Sequence, residues 1–214
     1  MEALHPVEIR VLGALIEKDI TTPEYYPLTP NALVNACNQK SNREPVVSFD
    51  ESTVMDALRL LGNKRLAYSV SGSGHRVEKF AHRLGETLNL GRRELPLLCV
   101  LMLRGPQTPG ELRSRTERMH DFNDLDEVEH CLNGLIEREL VTKLPVAPGM
   151  KEARYAQLLG GPVEWTAPAE SPMAAQFSGM DASQRPELED RIARLEGELA
   201  ELRDQFAQFR KQFE

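Results

Sequence analysis

Cysteines and long apolar segments are scarce in this 214-residue chain. The three cysteines are Cys37, Cys99 and Cys131. They are too few and too scattered for a disulfide framework, and each falls within an apolar helical pattern, which predicts a reducing compartment. The longest apolar run, residues 95–103, contains a proline and is far too short to span a bilayer. A signal peptide is not expected either, because charged residues interrupt the first stretch of the chain. We therefore expect a cytoplasmic protein without membrane contact.

An excess of positive charge is also missing, since the formal net charge is -7. Residues 1–85 hold ten Lys or Arg and ten Asp or Glu, and residues 86–160 hold ten and twelve. Residues 161–214 hold six basic and eleven acidic residues, so the acidity is concentrated at the C-terminal end. This distribution excludes the strongly basic class of nucleic-acid-binding proteins.

Three helices followed by a β-hairpin are predicted for residues 1–85. The first helix begins near Pro6 and ends at Thr22-Pro23, and the second has Thr29 as N-cap and extends to about Lys40. The third begins near Asp50. Two short β-prone segments flank a glycine-rich turn at 71–74, which is typical of a hairpin. This is the element order of a winged helix-turn-helix domain.

Residues 86–160 repeat this order. A buried helix is predicted for 95–103, a second helix starts at Thr108-Pro109 with a capping box to Glu111, and a third is capped by Asp124. The two third helices match at a spacing of 74 positions, as Leu58 with Leu132 and Leu61 with Leu135 illustrate. We interpret this as an internal duplication; the alternative is two unrelated helical domains with a common core spacing.

Residues 161–185 are rich in Gly, Pro, Ala and Ser and are predicted to form a linker. It contains Trp165, which either packs on the second domain or contacts a partner. Residues 186–214 show a strict 3.5-residue apolar repeat, which predicts a coiled coil and a homo-oligomer. The repeat consists of Leu188, Ile192, Leu195, Leu199, Leu202, Phe206, Phe209 and Phe213. An amphipathic helix packed on its own domain is the alternative.

The charges beside the repeat favour a parallel arrangement. In parallel strands Arg191 faces Glu196 of the partner helix, and Glu198 faces Arg203, so both pairs have opposite signs. The three phenylalanines are bulky for two strands, so a trimer or a tetramer stays open beside the dimer. The predicted fold class is therefore mostly α with small β-hairpins (α+β): two tandem winged helix-turn-helix domains and a C-terminal coiled-coil helix.

The segment 28–47 has the sequence LTPNALVNACNQKSNREPVV. It closely resembles the signature of the YceH family of bacterial proteins, and the segment 12–18, LGALIEK, fits this family as well. The resemblance covers about residues 5–160. It implies two winged-helix domains and carries no assigned activity.

Residue patterns that would indicate an enzyme are not found. Gly72 and Gly74 lie in a hairpin turn with no helix after it, so they do not form a phosphate loop. The five histidines lack the spacing of metal ligands. We therefore predict a non-enzymatic protein with no metal and no cofactor.

A DNA-binding surface is predicted on the first domain. Winged helices place the third helix in the major groove and the hairpin along the backbone. The candidate contacts are Asn38, Gln39, Lys40, Asn42, Arg43, Arg59, Lys64, Arg65, His75 and Arg76. Acidic residues at the start of the third helix argue against this use, and the run 38–43 has a structural alternative in which its side chains bond their own backbone.

The third helix of the second domain argues against DNA more strongly. Six acidic residues lie on or beside it, and Arg138 is its single cation. Such a face repels phosphate. Two functions follow: a dimeric DNA-binding regulator that uses the first domain, or a winged-helix scaffold that binds protein without touching DNA.

Overall fold

A computed structural model describes residues 2–70, 77–146, 150 and 152–163. The predicted hairpin-turn residues His75 and Arg76, most of the predicted linker at 161–185, and the predicted coiled coil at 186–214 lie outside the described residues. The first half of the described chain contains α1 (Pro6–Thr21), a 3-10 turn (Pro23–Tyr25), α2 (Pro30–Cys37), α3 (Glu51–Asn63), β1 (Ala67–Val70) and β2 (Lys79–His82).

A short helix, α4 (Leu84–Thr87), leads into the second half. That half contains α5 (Glu94–Arg104), α6 (Pro109–Thr116), α7 (Leu125–Glu137), β3 (Val141–Lys143) and β4 (Tyr155–Gln157). Both strand pairs are antiparallel, with Ala67 opposite His82 in one and Val141 opposite Gln157 in the other. The fold is thus mixed, with mostly helices and two small antiparallel hairpins, and the predicted α+β class is confirmed.

The predicted helix starts are confirmed by their capping hydrogen bonds. The Thr29 hydroxyl accepts from the Ala32 amide, and the Thr108 hydroxyl accepts from the Glu111 amide as part of a capping box. Asp50 and Asp124 cap α3 and α7 in the same way. These short side chains satisfy amides that have no partner within the helix.

The predicted end of the second helix is wrong by about three residues. Helix α2 ends at Cys37 and not near Lys40. The reason is that Asn38 leaves the helix: its side-chain amide donates to the Phe49 carbonyl and its side-chain oxygen accepts from the Phe49 amide, both at 2.8 Å. These two bonds close the loop of residues 38–49, called the 38–49 loop below.

Several local features occur once in each half at matching positions. Two positions after the last residue of α3 and of α7, a non-glycine residue has a positive φ: Arg65 at 58° and Glu139 at 56°. In both, the next amide donates to the carbonyl five positions earlier, Leu66 to Leu61 and Leu140 to Leu135. This is a Schellman helix end.

A third strand position is also repeated. Leu28, just before α2, forms an isolated bridge with Phe80 of β2, and Gln107, just before α6, forms one with Tyr155 of β4. Phe80 and Tyr155 are 75 positions apart, one more than the spacing that relates the third helices. Each hairpin is therefore extended by one bridge to the segment that precedes the second helix of its half.

One hydrophobic core runs through both halves. It includes the matched leucines of α3 and α7 together with nearly all of α5, and the described residues form a single compact unit. Helix α1 packs closely on α5 at Gly13, where an added Cβ would lie 3.0 Å from Leu103. The Cys99 thiol donates to the Gly13 carbonyl across this contact. The predicted domain boundary at residue 85 stays a prediction.

Leu58→Ala and Leu132→Ala should each lower the free energy of unfolding by about 2–5 kcal/mol, because both side chains are buried and truncation leaves a cavity. Since the halves share a core, we expect calorimetry to record one transition that both variants shift. Leu60→Ala is the matched control, as Leu60 is 44% exposed on the same helix as Leu58. Two transitions, each moved by only one of the buried variants, would show that the halves unfold independently.

Candidate functional site: the 38–49 loop and the adjoining cavity

Arg43, predicted from sequence as a DNA contact, is buried. Its side chain has no exposed surface, and its guanidinium donates to Glu17 of α1 at 2.6 and 3.0 Å. The same guanidinium also donates twice to the Ala36 carbonyl at the end of α2. Arg43 therefore holds the 38–49 loop against α1 and α2, and no face of it is left for a phosphate.

Glu17 is held ionised by this contact. Burial by itself would raise the pKa of Glu17, but the hydrogen bond and charge of Arg43, with a smaller effect of Lys18, lower it below the usual value. A carboxyl group whose pKa is lowered by folding stabilises the fold above its unfolded pKa, and this contribution is lost as the pH falls through the lowered value. The pair is thus intact at neutral pH.

A second buried arginine braces the same loop. Arg10 of α1 donates to the Cys37 carbonyl at 3.3 Å and to the Pro45 carbonyl at 2.6 Å. Asn38 and Arg43 also form hydrogen bonds with backbone atoms of the protein. For these two residues the structure therefore has the arrangement in which the side chains of the loop bond the chain's own backbone. Sequence reasoning missed Arg10, because one arginine in an amphipathic helix gives no signal of burial.

Lys64 also forms an ion pair with an acidic residue of the protein. Its ammonium group lies 2.8 Å from Glu8, and both side chains are largely buried. The second half repeats this pair, because Arg138 lies 3.2 Å from Glu94. Lys64 and Arg138 are related by the same spacing of 74 positions as the third helices. This match was the one sign in the sequence that the two cations have a shared structural role, which is to pair with an acidic residue at the start of the first helix of their half.

The remaining described candidates are accessible to different degrees. Lys40, Asn42, Arg59 and Arg65 are exposed, and Gln39 is half-buried. Arg59 lies 3.0 Å from Asp56 on the surface of α3, an exposed pair that water can replace. Lys40 and Arg65 have no ion pair among the described residues, so these two are the freest cations of the predicted set.

Asn42 of the 38–49 loop contacts the second half of the chain. Its side-chain oxygen accepts a hydrogen bond from Arg104 at the end of α5, and the neighbouring Glu44 amide donates to the Leu103 carbonyl at 2.9 Å. Beside these contacts lies a cavity of about 300 Å³, called the junction cavity below. Its walls come from both halves: Glu17, Thr21, Asn42, Val100, Leu103, Arg104, Ser114, Arg115, Glu117, Arg118 and Met119.

This cavity was not predicted from the sequence. Its three arginines lie on α5 and at α6, more than 60 positions after Asn42, and only the packing of the two halves brings them together. Within the described residues, no group of His, Cys, Asp and Glu side chains is arranged to hold a metal ion. None of the described helices has the length and apolar character needed to cross a membrane.

The cysteines occupy the core positions expected from the sequence. All three are buried and free. Burial raises the pKa of Cys37 to about 12 and raises the pKa of Cys99 and Cys131 as well. These thiols therefore stay protonated at neutral pH and are poor nucleophiles.

Comparison with known proteins places this arrangement in a family. Residues 4–150 match the family described as "Protein of unknown function, DUF480". A UPF0502 protein of Citrifermentans bemidjiense is 57% identical over 199 residues, covering 92% of this chain and 88% of the relative. One of Shewanella oneidensis is 47% identical over 200 residues, covering 89% and 90%. The chain belongs to this family, in agreement with the resemblance seen in the 28–47 segment.

Arg43→Met should lower the free energy of unfolding by about 3–5 kcal/mol, because it leaves the Glu17 carboxylate largely buried without its partner. Chemical denaturation measures this change. Lys40→Met, an exposed cation of the same loop, is the control and should stay within about 0.5 kcal/mol of wild type. A loss for Arg43→Met as small as that of the control would contradict the structural role of Arg43.

Proposed function

We propose that each half of this protein is a winged helix and that the chain is a non-enzymatic DNA-binding regulator acting through its first half. The repeated order of three helices and a hairpin, with the bridges Leu28–Phe80 and Gln107–Tyr155 in the place of a third strand, supports the winged-helix assignment. In this arrangement α3 is the helix that enters the major groove.

The observation that carries the proposal is the contrast between α3 and α7. The exposed face of α3 is polar and has charges of both signs. Lys40 and Arg65 are exposed as well, and they lie just after α2 and just after α3. Asp50, at the start of α3, accepts from the Thr53 amide at 2.8 Å, so its charge lies against the positive end of the helix. This reduces the repulsion that an acidic N-terminus would otherwise exert on phosphate.

The second half favours another partner. Helix α7 presents Asp126, Glu129 and Glu137 to solvent, and Leu125 is 44% exposed at its first position. An acidic face repels DNA, and the exposed Leu125 beside it offers an apolar contact to a protein partner. The second candidate function is therefore a scaffold that binds protein through this half, with no direct DNA contact.

Lys40→Glu combined with Arg65→Glu should abolish most DNA binding if the first half contacts phosphates. Arg65→Glu is compatible with the backbone, because the equivalent residue in the second half is Glu139 at nearly the same positive φ. The measurement is fluorescence anisotropy on mixed-sequence duplex DNA at several salt concentrations. We expect the slope of log affinity against log salt to fall by about two for the loss of two phosphate contacts.

The control for this measurement is Glu129→Gln with Glu137→Gln, which changes exposed charges on α7 and should not weaken binding. Equal binding by wild type and the Lys40/Arg65 variant would exclude this DNA site. The absence of binding by wild type at low salt would exclude DNA altogether and favour the protein scaffold.

We propose further that residues 186–214 form a parallel coiled coil that makes the protein a homo-oligomer. Their heptad repeat and the opposite-sign pairs beside it support this assignment. A dimer of winged helices would read two half-sites on DNA.

Leu199→Asp should weaken or abolish self-association, because it places a charge in the apolar core of the coil. Light scattering at several protein concentrations gives the mass. Ala200→Asp is the matched control, since residue 200 takes an outward heptad position. An unchanged mass for Leu199→Asp, and for a chain ending at residue 185, would contradict the coiled coil.

A further inference from the structure

The junction cavity carries an unusual concentration of arginine. Arg104 at the end of α5, and Arg115 and Arg118 at the end of α6, line its second-half wall. Burial, followed by the positive charges of Arg115 and Arg43, lowers the pKa of Arg104, and the smaller effects of Glu17 and Glu44 oppose this change. Guanidinium groups that line one small cavity repel one another unless an anion lies between them.

The carboxylates of the same walls do not balance this charge. Glu17 is already paired with Arg43 and Lys18. Arg115 is 3.6 Å from Glu111, but that carboxylate is also held at 2.7 Å by Arg154. Arg118 has no ion pair or hydrogen bond within the described residues, and Glu117 is the remaining acidic group of the lining.

Arg104 and Arg118 differ from the structural arginines, because neither has an ion pair among the described residues. Arg43 and Arg138 each meet an acidic side chain of their own region, as expected for cations that support a fold. Arg104 instead donates to the neutral amide oxygen of Asn42, which leaves its charge uncompensated by that contact. Among the described residues, the cavity lining thus has three arginines against the two carboxylates Glu17 and Glu117, and Glu17 is already paired with Arg43.

We propose that the junction cavity binds a small organic anion. Arg104, Arg115 and Arg118 hold its phosphate or carboxylate group, and its apolar part lies against Val100, Leu103 and Met119. Planar guanidinium groups bind both anions through two parallel hydrogen bonds. A volume of about 300 Å³ is at the lower end of small-molecule sites, which fits one acidic group on a short apolar body.

Binding here links the two halves, because Asn42 and Glu17 belong to one and the arginines to the other. A ligand that binds only the folded protein raises its melting temperature. The inference does not depend on DNA binding, since none of the cavity arginines belongs to the surface proposed for DNA.

The test is calorimetric titration of the full-length protein with phenyl phosphate, benzoate and inorganic phosphate, at constant ionic strength set with sodium chloride. We expect phenyl phosphate to bind more tightly than inorganic phosphate, because only the former covers the apolar wall. Arg115→Gln with Arg118→Gln should weaken binding by about tenfold or more, as loss of charged hydrogen bonds does. Arg92→Gln, an exposed arginine that is not part of the cavity lining, is the control and should bind like wild type.

Several results would overturn the proposal. They are the absence of binding by all three probes at millimolar concentrations, and equal binding by wild type and the double variant. A third result would be that wild type binds none of the small anions while the double variant loses DNA affinity. That result would assign these arginines to DNA phosphates. If Arg115→Gln with Arg118→Gln melts early, Ser114→Tyr, which places a ring at the cavity wall, should block phenyl phosphate in the same way.

Discussion

The buried Arg43–Glu17 pair determines how the 38–49 loop lies, and much else depends on that loop. Its guanidinium joins α1, the end of α2 and the loop through hydrogen bonds that leave none of its side chain exposed. With the loop fixed in this way, Glu44 and Asn42 meet the end of α5. The same position of the loop forms one wall of the junction cavity.

The packing of α1 on α5 joins the two repeated halves into one core. Gly13 permits the close approach, and the Cys99 thiol bonds across it. Two local features occur in both halves. One is the Schellman end after the third helix, and the other is the ion pair from that end to the first helix of the same half. The exposed faces of the third helices differ between the two halves, since α7 is acidic and α3 has mixed charge.

Local features of the fold could be predicted from the sequence because their causes are local. The caps at Thr29, Asp50, Thr108 and Asp124 depend on residues within one helical turn, and the structure has all four. The helix ends after α3 and α7 could not be predicted in the same way, since Arg65 and Glu139 occupy a conformation that usually signals glycine.

The candidate site was harder to predict because its contacts are distant in sequence. Residues 38–43 are polar, and a polar run after a helix predicts an exposed surface. Arg43, however, is paired with Glu17, which lies 26 positions earlier in the chain. Lys64 is paired with Glu8, which lies 56 positions earlier. Only the folded chain shows that Arg43 and Lys64 have largely buried acidic partners, whereas Lys40 and Arg65 form no ion pair with any residue that the structure describes.

Residue-resolved amide hydrogen exchange tests most directly whether the 38–49 loop is a fixed part of the core. The Glu44 amide donates to Leu103 and the Phe49 amide donates to Asn38, although both residues lie near the surface. We predict that both amides exchange as slowly as those in the middle of α1, and that Arg43→Met releases them. Rapid exchange of Glu44 and Phe49 in the wild-type protein would contradict this account.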